Sequence, residues 1–97
     1  FDVKTVSLNY PDVDMLIEFQ ANVTKETLNH FIVVIDDFVN NYNTENECKI
    51  HYYEVLKVAD NTIRLFIDFG SANEYAFGKL MSILHRKIND IKLISVN

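Results

Sequence analysis

The side chains able to do chemistry are dispersed along this chain. His30, His51 and His85 fall on a helix, a strand and a second helix, with neither the i, i+4 spacing nor the cysteine partner that a metal site needs. They read as structural or solvent-facing histidines. Asp12 and Asp14 form a D-x-D pair, which in some transferases holds a divalent ion through sugar phosphates. With no nucleotide pocket in 97 residues, it reads here as a polar turn. Asp36 and Asp37 are adjacent on a helix and project about 100° apart, so they do not converge as an acid/base pair. Cys48 stands beside Glu47, an anionic neighbour that disfavours a nucleophilic role, and as the only cysteine it forms no bridge within the chain. Gly70 and Gly78 are the only glycines, which excludes phosphate-cradling loops. Asn22-Val23-Thr24 fits the N-glycosylation acceptor pattern, which arises easily by chance, and reads here as an ordinary loop or helix-cap asparagine. No catalytic residue, metal or cofactor is therefore expected, and the chain reads as a non-enzyme.

The elements that must position these residues follow from periodicity. Leu28, Phe31, Ile32, Ile35, Phe38, Val39 and Tyr42 recur at three- and four-residue steps and predict a helix from Thr24 to about Tyr42, capped by Asn22 or Thr24. The asparagine-rich stretch from Asn40 to Glu47 reads as the loop that ends it. Two strands meet at Asp60-Asn61, residues suited to a two-residue turn. That turn sets 59 against 62, 58 against 63, 56 against 65, 54 against 67 and 52 against 69. One face is then Ile50, Tyr52, Glu54, Leu56, Val58, Ile63, Leu65, Ile67 and Phe69, the expected core face. The other carries His51, Tyr53, Val55, Lys57, Arg64, Phe66 and Asp68.

Ser71 to Glu74 reads as a capping box before a helix with Phe77, Leu80, Met81, Leu84 and Ile88 on its apolar stripe. Gly78 within it suggests close packing. Ile91 to Val96 closes the chain as a strand. Val13, Met15, Ile17 and Phe19 alternate with Asp14, Leu16, Glu18 and Gln20 as a half-buried strand, and Val3 to Tyr10 precedes it as another. From Val13 the order is β-α-β-β-α-β. The expected fold is α+β in one domain, 1–97: a ferredoxin-like split β-α-β-β-α-β sandwich, with two helices on one face of an antiparallel sheet and an extra N-terminal strand.

Size and composition fit that fold. At 11.3 kDa the folded surface should be about 5,700 Å², which leaves roughly two-thirds of the unfolded surface buried, enough for a core without disulfide or metal. A content of 48% hydrophobic residues excludes disorder. No apolar run is long enough to span a membrane, and the start, Phe1-Asp2-Val3-Lys4, has no leader pattern, so a cytoplasmic chain is expected. Net charge is −5, unevenly spread: residues 1–47 hold nine acids against Lys4 and Lys25, while residues 48–97 hold seven bases against five acids.

Arg64-Leu65-Phe66-Ile67-Asp68-Phe69 resembles the third strand of RNA-recognition motif domains, whose outward aromatics stack on bases. The resemblance covers that strand alone. The motif's glycine and second outward aromatic are missing, and Asp68, Glu18 and Asp14 would repel phosphates, so no nucleic-acid partner is expected.

Two functions remain. The first is a protein-interaction module, an inhibitor or immunity-type protein docking an acidic surface onto a basic protein. Its carriers would be Asp12, Asp14, Glu18, Asp36, Asp37, Glu45 and Glu47, with Tyr42 and Tyr53 as anchors. The second is a regulatory domain that forms a homodimer, or binds a small ligand, through an uncovered sheet face bearing Tyr53, Val55, Phe66 and Leu16.

Overall fold

A computed structural model describes all of Phe1–Asn97. In chain order the elements are β1 (Asp2–Thr5), β2 (Asp12–Phe19), α1 (Lys25–Glu45), β3 (Tyr52–Ala59), β4 (Thr62–Asp68), α2 (Tyr75–Lys87) and β5 (Ile91–Val96). The α+β class holds: five strands form one sheet in the order β1-β5-β2-β4-β3, and both helices join a single core with its covered face. The exposed surface, 5792 Å², is close to the value expected from mass alone. No helix is long and apolar enough to cross a membrane.

The sheet is mixed, which corrects the expected antiparallel one. β2, β4, β3 and β5 pair antiparallel, but β1 runs parallel to β5, with Asp2 opposite Leu93 and Thr5 opposite Val96. β1 cannot fold back onto β2, because β5 and β4 already occupy both flanks of β2. It extends the edge beyond β5 instead.

β2 and β4 follow the two-residue period. Val13, Met15, Ile17, Ile63, Leu65 and Ile67 are fully buried, and the residues between them reach solvent. Thr24 caps α1, its Oγ1 accepting from the Thr27 amide at 3.1 Å. The helix buries Phe31, Val34, Ile35, Phe38 and Tyr42, and it runs three residues beyond Tyr42. Asn40, Asn41 and Asn43 therefore lie in the helix, not in a loop. Tertiary bonds outweigh their weak helix propensity: Asn43 donates to the Ile50 carbonyl at 2.9 Å and accepts from the Ile50 amide at 2.8 Å, anchoring the approach to β3.

α2 lacks the expected capping box. Glu74 is its N-cap and makes no side-chain cap bond, while Asn73 Oδ1 accepts from the Tyr75 amide at 3.0 Å. Ser71 lies too early, because Ala72 is held in a turn by its amide bond to the Phe69 carbonyl at 2.9 Å. Tyr10 fastens the same loop: its ring stacks on Phe69, and its hydroxyl donates to the Ala72 and Asn73 carbonyls. Burial pushes that hydroxyl's pKa up to about 12. Gly78 is exposed, and a Cβ there would meet nothing within 4 Å, so it marks no close packing.

The central hairpin departs most from expectation. Ala59 pairs with Thr62 as the turn predicts, but Lys57 pairs with Ile63, leaving Val58 as a bulge. Every pair before it moves by one residue: Val55 faces Leu65 and Tyr53 faces Ile67. Tyr52, Glu54 and Leu56 thus leave the expected core face and are exposed, while Tyr53 and Val55 turn toward the helices and pack on the core. Two forces account for the bulge. The turn is stitched in place, with the Phe19 amide bonded to Asn61 O at 2.8 Å and the Val23 amide to Asp60 O at 2.7 Å. A bulge-free register would also bury the Glu54 carboxylate among aliphatic side chains, at a cost of several kcal/mol.

Candidate interaction surface

The sheet face opposite the helices is uncovered, since β1 lies at the edge and does not cross it. Cross-strand register places its residues in rows. Asp12, Asp68 and Tyr52 form one, Asp14, Phe66 and Glu54 the next, and Leu16, Arg64 and Leu56 a third, with Ser95 on the β5 side. Glu18 and Thr62 follow, with Leu93 beside Glu18. The aromatic centre is Tyr52 against Phe66, ring centroids 6.4 Å apart, flanked by Leu16 and Leu56, which are 37% and 52% exposed.

Charge surrounds this centre. Arg64 makes a two-pronged bond to Asp14, Nε and Nη2 each 2.9 Å from a carboxylate oxygen, and this pairing raises the guanidinium pKa further. Tyr52 donates to Glu54 Oε2 at 2.7 Å, and that bond to a carboxylate raises the phenol pKa. Asp68 accepts from the Gly70 amide at 2.8 Å and lies 3.9 Å from His51 Nδ1. Counting Asp2 and Lys4 on β1, the face carries six acids (Asp2, Asp12, Asp14, Glu18, Glu54, Asp68) and two bases (Lys4, Arg64). Arg64 is already neutralised by Asp14, so the face is net acidic around an apolar centre.

The residues singled out from sequence are divided between two surfaces. Asp12, Asp14, Glu18 and Phe66 come together on the open face. Asp36, Asp37 and Glu45 lie on α1, on the other side of the sheet, and Glu47 is exposed just after that helix. The acids therefore do not form one side of the molecule, because β2 displays its charges through the sheet face that α1 does not cover. Tyr42 is buried, 7% exposed, between Phe38 and the Lys79 ammonium, and is no free anchor. Tyr53 and Val55 leave the patch for the helix side, where the Tyr53 hydroxyl donates to Asp36 Oδ1 at 3.0 Å. Burial, then that bond, raises its pKa.

Tyr52, Glu54 and Leu56 belong to the surface and were assigned to the core by the bulge-free register. A lone glutamate among core positions was the one sequence feature that argued against that register. No three His, Cys, Asp or Glu side chains are grouped to hold a metal ion. The concavities lie on the helix side and at the loops; one is a groove of about 210 Å³ between Phe38, Tyr42, Lys79, Ile83 and Arg86. Compared with known proteins, the chain matches no family model, no curated protein and no solved structure.

Proposed function

We propose that this chain is a non-catalytic protein-interaction module, of inhibitor or immunity type, that receives a basic protein on the open face of its sheet. One observation carries the reading: a centre of exposed Tyr52, Leu16 and Leu56 around half-buried Phe66, ringed by carboxylates, with its one central cation already paired. Aromatic and aliphatic anchors supply affinity on desolvation, and the carboxylates speed encounter with a positive surface. The fold part of the proposal is a split β-α-β-β-α-β, ferredoxin-like unit with β1 added outside it. It is supported by the order β5-β2-β4-β3 and by both helices joining one core.

The test is an NMR titration with an arginine- and lysine-rich peptide. Shifts should gather on Leu16, Glu18, Glu54 and Phe66, and binding should weaken steeply between low and physiological salt. Phe66→Glu should remove it. Shifts confined to α1, or affinity indifferent to salt, would refute the reading.

A further inference from the structure

The outer edge of β3 is unpartnered in a way the opposite edge is not. β3 pairs only with β4, so one side of an eight-residue strand presents free backbone amides and carbonyls. Edges are ordinarily blunted by shortness, proline or charge. β1, the other edge, is four residues long. β3 has no proline and carries Tyr52 and Leu56, each 52% exposed; its charges are Glu54 and Lys57, and its bulge lies at the turn end, leaving Tyr53–Lys57 regular.

We propose that β3 pairs antiparallel with β3 of a second copy, joining two five-stranded sheets edge to edge. This goes beyond the reading above and uses the backbone edge of β3 rather than the open face, with Glu54 and Leu56 belonging to both. Two-fold symmetry requires residues of the same sheet face to meet, so the axis must pass through a residue position. An axis at Glu54 sets two carboxylates face to face, and an axis at Leu56 sets Lys57 against Val55. With the axis at Val55, Glu54 meets Leu56 and Lys57 meets Tyr53 of the other copy. The Tyr53 hydroxyl is bonded to Asp36, and Lys57 Nζ donates to the Val23 carbonyl of its own chain at 3.0 Å, so its remaining donors would reach the other copy's Asp36 carboxylate across the joint, twice by symmetry. The bulge at Val58 limits the pairing to Tyr53–Lys57, which makes a small interface and a concentration-dependent dimer. Face-to-face pairing through the open sheet would instead oppose two net-acidic surfaces.

Sedimentation over a dilution series should show a monomer–dimer equilibrium. On concentrating, amide shifts should localise to residues 53–57. Lys57→Glu and Asp36→Lys should each weaken the dimer at least about tenfold, since each places like charges across the joint. The Asp36→Lys/Lys57→Glu double variant should recover most of the loss. The amide shifts of the unaltered protein decide the matter even if a variant misfolds. A monomer at the highest soluble concentration, shifts outside β3, single-variant losses that the double variant fails to recover, or a dimer broken by Phe66→Glu and untouched by Lys57→Glu would each overturn the proposal.

Discussion

Leu65 and Phe66 are neighbours in β4 with opposite roles. Leu65 has no exposed surface and packs under the helices, between Met15 on β2 and Val55 on β3. Phe66 is half-buried on the open face, between Asp14 and Glu54. The same contrast runs along β2, where Val13, Met15 and Ile17 alternate with Asp12, Asp14, Leu16 and Glu18. One face of each strand holds the fold together by burial, and the other carries a charged, partly apolar surface that the fold does not require. A strand whose two faces are this different cannot slip by one residue without burying carboxylates.

The largest expected effect tests that division directly. Leu65→Ala should cost about 3 kcal/mol by denaturant titration, whereas Phe66→Ala should cost about 1 kcal/mol or less. Equal costs would mean that the two faces do not differ as described. Deleting Val58 comes next. It removes the bulge and leaves every other β3–β4 pair unchanged, so the protein should lose about 1 kcal/mol or less and keep Tyr53 opposite Ile67 by cross-strand NOE. A slip that sets Tyr52 opposite Ile67 would show that the bulge alone, and not the buried face, holds the register.

Tyr10→Phe probes the helix side, where loss of the hydroxyl should cost about 1 kcal/mol. Because its pKa is raised from 10.0 to about 12, the hydroxyl's contribution is complete below pH 10 and lost as pH rises through 12. The variant should therefore be less sensitive to pH across that interval and lack the last phenolate phase in the ultraviolet titration. Gly78→Ala, on the open side of α2, should raise stability by about 0.5–1 kcal/mol in thermal melts. A loss there would mean that the position is packed.

β2, β4 and both helices were legible because their burial is periodic; the one irregularity in β2's pairing, with β5, falls at its end between Glu18 and Phe19. Asp14, Glu18 and Phe66 could be placed on the open face for the same reason, whereas the D-x-D pair of Asp12 and Asp14, read as a polar turn, lies in β2 because pairing with β4 extends the strand to Asp12. β3 was misread because it has a partner on one side only, so its own pattern, Tyr-Tyr-Glu-Val-Leu-Lys-Val, is nearly as apolar in one register as in the other. The turn suggested one register and the buried face took the other. Tyr42 was misjudged because a helical stripe shows which residues turn inward, not how deeply a neighbouring helix covers them. Lys79, far away in sequence, lies over its ring.

By itself, then, the sequence determined the order of elements, the α+β class, the buried faces of β2 and β4, and the surplus of acid in its first half. Local periodicity and charge count suffice for these. Tertiary structure alone decided that β1 would run parallel outside β5, that Val58 would bulge, and that the acids would divide between the open sheet face and α1. Each depends on contacts between segments distant in the chain: the filled flanks of β2, a turn tied to the β2–α1 loop, and the cost of burying the Glu54 carboxylate.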